Sequence, residues 1–264
     1  MNQKKQNLFS LEDQIVFLTG AAGQLGTEIV NGLLSTGARV VAVDKDILDL
    51  EKASKKHSWD SDYVICLECD VTNKTNIEDC FRIAINKFGV INSLIANAGV
   101  SVFEPFMERD ESSIDYVMDV NLKGTIFCIQ EFIKKLNTSQ KNSIVSIASH
   151  YGLVSPDPRI YNDGDRRNSE IYGATKAGII QMTKYFAVHA AEYNVRVNAV
   201  SPGGIRNPDN PQREDFQEKY NYRSPMGRMA ETEEIIGAVL FLLSPAASYI
   251  NGHNIVVDGG FSAW

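Results

Sequence analysis

Four cysteines and four histidines in 264 residues leave little for a disulfide framework or a metal centre. Cys66 and Cys69 form a lone Cys-x-x-Cys, but zinc takes four ligands and no second pair stands at a suitable spacing. Both fall on an expected third strand and read as buried thiols; no metal is expected. No apolar run approaches the ~18 residues of a membrane span. The first ten residues are polar, carry Lys4 and Lys5, and lack the apolar core of a signal peptide. They read as a mobile extension, 1–10, ahead of one domain, 11–264. Basic residues are outnumbered 26 to 33, and the net charge of −7 argues against a nucleic-acid surface. The expectation is a cytoplasmic protein whose partner is a small molecule, not nucleic acid or membrane.

What is present begins with a strand, a glycine turn and a helix. Ile15 to Leu18 is an apolar run of the kind buried on both sheet faces. Thr19-Gly20-Ala21-Ala22-Gly23-Gln24-Leu25-Gly26 follows, then a helical stripe of Ile29, Val30, Leu33 and Leu34 that ends at Gly37. Arg39 to Val43 is the next strand, closed by Asp44. Glycines let a backbone approach a pyrophosphate, and a helix N-terminus offers it free N–H groups. An acid 18 residues past Gly26 can accept from both adenosine ribose hydroxyls and would repel a 2′-phosphate. Asp44 therefore argues for NAD over NADP, while Lys45 beside it is the residue that would meet a 2′-phosphate.

Strands are expected near 15–19, 39–43, 63–68, 92–96, 143–148, 195–200 and 254–257, alternating with helical patterns. With 44% hydrophobic residues, the chain can bury a full core. The expectation is an α/β, single-domain, Rossmann-type doubly wound parallel sheet of about seven strands with helices on both faces.

Tyr172 and Lys176 stand four residues apart, one turn on one helix face. A tyrosine hydroxyl titrates near about 10. An ammonium beside it favours the phenolate and lowers that value, making an acid/base for an alcohol or carbonyl.

These residues, in this order, resemble the short-chain dehydrogenase/reductase family from about Gln14 to the end. Asn97-Ala98-Gly99 resembles its Asn-Ala-Gly motif, which stabilises the central sheet beside the cofactor. Asp70-Val71 resembles the pair beside the adenine. Pro202-Gly203, with Ile205, resembles the loop that meets the nicotinamide. Val257-Asp258-Gly259-Gly260 is similar to the C-terminal signature. The resemblance implies a catalytic set of Asn121, Ser149, Tyr172 and Lys176, with Asn121 holding a relay water and Ser149 the substrate oxygen. It implies cofactor contacts from Gly20, Gly23, Gln24, Leu25, Gly26, Asp44, Asp70, Val71, Asn97, Ala98, Gly99, Tyr172, Lys176, Pro202, Gly203 and Ile205. The implied reaction is hydride transfer between nicotinamide C4 and an alcohol or ketone.

Three departures stand out. The middle glycine of the turn is one place early, at Gly23, and Gln24 takes its slot at the helix start. Ser149 and Tyr172 are separated by an insert, 155–168, that holds Arg159, Arg166 and Arg167. Asn207 replaces a threonine of the family pattern.

The insert, a lid over 205–223 and the apolar stretch Val100 to Met107 would shape the substrate site. Candidate contacts are His150, Arg159 and Tyr161, with a polar sugar-like substrate. The ending and Ser201-Pro202-Gly203-Gly204-Ile205 look similar to bacterial family members found with surface-sugar and flagellin-glycan biosynthesis. A stripe of Ile235, Ile236, Val239, Leu240 and Leu243, with the aromatic end, suggests pairing across two-fold axes, so a homotetramer or homodimer is expected. The alternatives are a nucleotide-sugar epimerase or dehydratase, and a non-catalytic cofactor-binding redox sensor.

Overall fold

The structure is a computed structural model that describes residues 7–161 and 168–264. Seven parallel strands form one sheet in the order β3-β2-β1-β4-β5-β6-β7. They are β1 Ile15–Thr19, β2 Arg39–Asp44, β3 Val64–Glu68, β4 Ser93–Ala96, β5 Asn142–Ile147, β6 Val195–Pro202 and β7 Asn254–Val257. Each expected strand is found, with ends shifted by no more than two residues. The helices are α1 Gln24–Ser35, α2 Ile47–His57, α3 Lys74–Phe88, α4 Glu111–Met118, α5 Thr125–Lys135, α6 Glu170–His189, α7 Glu214–Arg223 and α8 Glu233–Leu243.

Successive strand residues point to opposite faces, so each apolar run fills two cores. Val16 and Leu18 pack with Ile29 and Leu33 of α1, Leu50 of α2 and Val239 of α8. Ile15 and Phe17 pack on the other face with Phe81 of α3, Phe132 of α5 and Ala187 of α6. Phe17 stacks on Phe81 with centroids 4.1 Å apart. Full burial of such a side chain contributes about 1.5–3 kcal/mol. Gly32 of α1 is a contact point with α8: a Cβ there would lie 2.4 Å from Ile236 Cγ2.

Of the stripe Ile235, Ile236, Val239, Leu240 and Leu243, Leu240 is half-buried and the other four are buried within the chain. α8 covers the sheet beside α1. A third, smaller cluster joins Ile160 of the insert to Tyr220 of α7, Met229 and Phe261. The rest of the insert, 162–167 with Arg166 and Arg167, lies outside the described residues, as do residues 1–6 of the extension. The Leu8 carbonyl accepts from the Ala246 N–H at 3.0 Å. No described helix is long and apolar enough to cross a membrane.

The chain runs outward from β1 to β3, then returns to β4 on the other side of β1. The loops after β1 and β4 therefore diverge, and open parallel sheets place ligands in the crevice this leaves at the strands' carboxyl ends.

Candidate active site

Two backbone features build the first half of the crevice. The β1–α1 turn folds so tightly that a Cβ on Gly26 would sit 2.0 Å from the Gly20 carbonyl oxygen. Gly20 has φ +67, and a Cβ there would be 2.8 Å from Ala98 Cα. Asn97 then ties β4 to that turn. Its Nδ2 donates to the carbonyls of Thr19 and Gly20, both at 3.0 Å. The N–H groups of Asn97 and Ala98 both donate to Thr19 Oγ1, each at 3.0 Å. Thr19, absent from the expected site, is the hub of this junction.

A cleft of about 450 Å³ opens here, lined by Gly20, Gly23, Leu25, Gly26, Asp44, Asp70, Val71, Asn97, Ala98 and Gly99 among others. Ten of the expected cofactor residues thus meet in one place. Asp44 Oδ2 accepts from the Ala22 N–H at 2.9 Å and Oδ1 from the Asp46 N–H at 3.1 Å, which holds the carboxylate at the cleft edge. Lys45 lines the same cleft. Asp70 Oδ1 accepts from the Thr72 hydroxyl at 2.7 Å. Tyr116, Asp119 and Val120 complete the wall, none of them singled out by motif, since they come from α4 and the π-helical turn Asp119–Gly124.

The second half is positioned by α6. Ser169 caps this helix, accepting from the Tyr172 N–H at 3.2 Å, so Tyr172 lies in the first turn and Lys176 one turn deeper. Ser149 follows β5 and caps a 3₁₀ turn, His150–Gly152, by accepting from the Tyr151 N–H at 3.1 Å. That turn lies directly on α6: a Cβ on Gly152 would be 2.7 Å from the Lys176 carbonyl carbon. Gly152 is a positioning residue with no motif of its own. The contact sets the Ser149 hydroxyl and the Tyr172 phenol on the wall of the same cavity.

Ser149, Tyr172, Lys176, Pro202, Gly203 and Ile205 line one cavity of about 340 Å³, joined to the first cleft through Leu25, Asn97, Gly99 and Val100. A third opening, about 560 Å³, extends outward from Ser149 and Tyr172 to Phe103, Tyr161, Gln212 and Phe216.

The electrostatics differ from the expectation that Lys176 pulls the Tyr172 pKa down. Burial lifts the Tyr172 phenol above its ordinary value, and the Ser149 hydrogen bond offsets this only in part. Burial likewise pushes the Lys176 ammonium down to about 8. Lys176 Nζ donates to the Ile147 carbonyl at 2.8 Å and lies 5.5 Å from the Tyr172 ring centroid. Desolvation opposes charge on both groups.

Asn121 is fully buried. Its Oδ1 accepts from the Val100 N–H at 2.7 Å, and its Nδ2 donates to the Val100 carbonyl at 2.9 Å and to Thr175 Oγ1 at 3.2 Å. The amide is thus occupied in pinning the Gly99–Val100 loop to α6.

The tentative substrate residues divide. His150 lines the outer opening, with Nδ1–H donating to the Pro202 carbonyl at 3.0 Å, the tautomer a carbonyl partner requires. Its Nε2 has no partner among the described residues, and burial lowers its pKa. Tyr161 also lines the opening, its hydroxyl 3.0 Å from that of Tyr151. Arg159 is not brought there: its exposed guanidinium is held by Asp157 at 2.6 Å, two residues away. Gln24 does not face the first cleft. It lines the outer opening, as does Asn207, whose Oδ1 accepts from the N–H groups of Asp209 at 3.1 Å and Asn210 at 3.2 Å.

Sheet order, glycine turn and crevice define a Rossmann-type dinucleotide-binding oxidoreductase fold. The family profile described as enoyl-(acyl carrier protein) reductase matches residues 20–262. A D-arabinitol 2-dehydrogenase (ribulose-forming) of Candida albicans is 30% identical, over 97% of this chain and 95% of the relative. An NADH-dependent L-xylulose reductase of Ambrosiozyma monospora is 30% identical, over 97% of each. A 3-oxoacyl-[acyl-carrier-protein] reductase of Thermotoga maritima is 33% identical, over 95% of this chain and 98% of the relative. Among solved structures, a short-chain dehydrogenase of Leptospira borgpetersenii with bound NAD+ is 36% identical, with TM-score 0.86, over 99% and 98% of the two chains. The chain belongs to the short-chain dehydrogenase/reductase family, and is an oxidoreductase acting on alcohol and ketone groups.

Proposed function

We propose that this protein interconverts a polyol and its keto-sugar with NAD(H), Tyr172 serving as the proton donor and acceptor. The observation that carries the reading is the placement of Ser149, Tyr172 and Lys176 in one cavity continuous with the cleft edged by Asp44. The relatives support both parts: two act on sugars or polyols by name, one names NADH, and the Leptospira enzyme holds NAD+.

The residues fit a dinucleotide. The glycine turn leaves a cradle that a Cβ would fill, and no side chain caps the N-terminus of α1, whose first N–H groups are free for a pyrophosphate. Asp44 would accept from the adenosine ribose and Asp70 would meet the adenine. Pro202, Gly203 and Ile205 would wall the nicotinamide. When bound, the nicotinamide supplies hydride exchange with the carbinol carbon.

The chain's own part is proton handling and orientation. Ser149 Oγ already accepts from Tyr151, so its O–H is directed at the substrate oxygen or the Tyr172 phenol. Tyr172, held protonated at neutral pH, donates to a carbonyl oxygen; at higher pH its phenolate takes the alcohol proton. Lys176 anchors the base of the site through the Ile147 carbonyl. Asn121 positions the loop beside Lys176. The outer opening, with His150, Tyr161, Asn207 and Gln212, offers polar groups to a polyhydric substrate rather than a plain apolar wall. The protein acts in the cytoplasm, as a homotetramer or homodimer.

The test is fluorescence titration with NADH and NADPH in parallel, then NAD+-coupled assays on pentitols and hexitols. Tight NADH binding with turnover of a polyol is expected. Binding of neither nucleotide refutes the reading.

A further inference from the structure

Asn168 closes the insert and stands one residue before Ser169, the cap of α6. Its side chain is half-buried, and Oδ1 accepts from the Ser101 hydroxyl at 2.5 Å. Ser101 is itself held in place, because the N–H and carbonyl of Val100 before it are both bonded to the buried Asn121 amide, at 2.7 and 2.9 Å. An amide whose oxygen is taken by a hydroxyl turns its NH2 group away from that hydroxyl. Asn168 Nδ2 has no hydrogen-bond partner among the described residues, and it is left open rather than enclosed by protein.

The cavities show where this donor stands. The residues that line both the reaction cavity and the outer opening are Ser149, Asn168, Tyr172, Gly203 and Ile205. Only Ser149, Asn168 and Tyr172 among them carry polar side chains. In the proposed reaction Ser149 and Tyr172 hold the reacting oxygen. A substrate so held, with its chain running into the outer opening, passes its next carbon through the shared mouth. Asn168 is the polar side chain left to meet that carbon. Its NH2 group is a donor, so it matches an oxygen there. A methyl or methylene would leave the amide unpaired in a partly dehydrated site, and such sites reject analogues that lack the partner oxygen.

We propose that Asn168 is a substrate-binding residue that sets specificity, its Nδ2 donating to a hydroxyl oxygen on the carbon next to the reacting carbinol. The substrate class is then a vicinal diol in oxidation and an α-hydroxy ketone in reduction, rather than an isolated secondary alcohol or plain ketone. This rests on the reading that Ser149 and Tyr172 take the reacting oxygen. Ser101 acts through Asn168, as a positioning residue that fixes which way the amide faces.

The experiment compares NADH-dependent reduction of 3-hydroxy-2-butanone and 2-butanone, which differ by that hydroxyl alone, in the wild type, Asn168→Ala and Ser101→Ala. In the wild type kcat/KM should favour the hydroxy ketone by about tenfold or more, the scale of one hydrogen bond that the plain ketone cannot make. Asn168→Ala should lower kcat/KM for 3-hydroxy-2-butanone about tenfold and that for 2-butanone less than about threefold, so that the preference collapses. Ser101→Ala frees the amide to turn and should move the ratio the same way, by less. A residue that merely braced the loop after β4 against α6 would cost both ketones alike, so equal losses in Asn168→Ala overturn the proposal. Where Asn168→Ala fails to fold, judged by lost NADH binding, an unchanged ratio in Ser101→Ala overturns it instead. A wild type with no preference between the two ketones overturns it and leaves the Tyr172 chemistry standing. Wild-type protein inactive on both ketones also overturns it, and inactivity on the polyols as well refutes the reading of Ser149 and Tyr172 beneath it.

Discussion

Lys176 Nζ is bonded to the Ile147 carbonyl at 2.8 Å, and this one contact ties the helix of the Tyr172–Lys176 pair to the strand that delivers Ser149. The ammonium is anchored at the base of the cavity, with the phenol above it and burial opposing charge on both. The site is thus set up to hold a protonated tyrosine at neutral pH.

Tyr172→Phe removes the phenolic oxygen and little volume. Turnover should fall at least 10²-fold, the scale of a lost general acid. NADH affinity should stay within about threefold, since the ring and Lys176 remain. Steady-state kinetics and NADH titration check the two halves; wild-type turnover in the variant would remove Tyr172 from the chemistry.

The raised Tyr172 pKa sets the pH profile. Below it the phenol is protonated and can give a proton, so carbonyl reduction should be fastest near neutrality. Alcohol oxidation needs the phenolate and should rise steadily from pH 7 towards 10. Parallel profiles in the two directions are the check, and an oxidation rate that falls over that range would contradict the burial of the phenol.

Lys176 carries a stability cost. Its folded pKa of about 8 lies below the ordinary 10.5, so the unfolded chain binds the proton more tightly. The penalty is full below pH 8, shrinks as pH rises from 8 to 10.5, and is gone above that. That lowering corresponds to roughly 3 kcal/mol. Lys176→Met should raise the Tm by a few degrees at pH 7 and by much less near pH 10.5, while abolishing turnover. Thermal melts at both pH values measure this.

Asp44→Asn keeps the shape but removes the charge facing the adenosine ribose. NADH binding should weaken by about tenfold, as expected for a charge-assisted hydrogen bond made neutral. NADPH should gain relative to NADH, helped by Lys45 on the same cleft wall. An unchanged NADH/NADPH ratio would mean that Lys45 or the altered turn sets the preference.

Gly26→Ala places a methyl 2.0 Å from the Gly20 carbonyl oxygen, where backbone must move. The variant should lose several degrees of Tm and bind NADH at least tenfold more weakly, a strain of one to a few kcal/mol. Native affinity would show that the turn can open without cost.

Much was legible in the chain because the information was local. The central strands β1 and β2 are apolar runs buried on both faces, and short strand patterns alternate with helical ones along the chain, so sheet, helices and crevice could be placed in advance. The glycine turn, Asp44, Asn97 and the Tyr172–Lys176 pair are short motifs whose geometry follows from a few bonds. Tertiary structure decided what depends on distant neighbours. Only the packing shows that Ile235, Ile236, Val239 and Leu243 of the α8 stripe are buried within the chain while Leu240 is half-buried. Only the fold shows that the Asn121 amide is taken by Val100 and Thr175, and that Arg159 turns outward to Asp157. The direction of the Tyr172 pKa also required the fold, since desolvation is set by everything packed around the phenol. Gln24 makes the same point: its place in the turn is written in the sequence, while its partners Arg206 and Thr232, 182 and 208 residues away, meet it only in the folded chain.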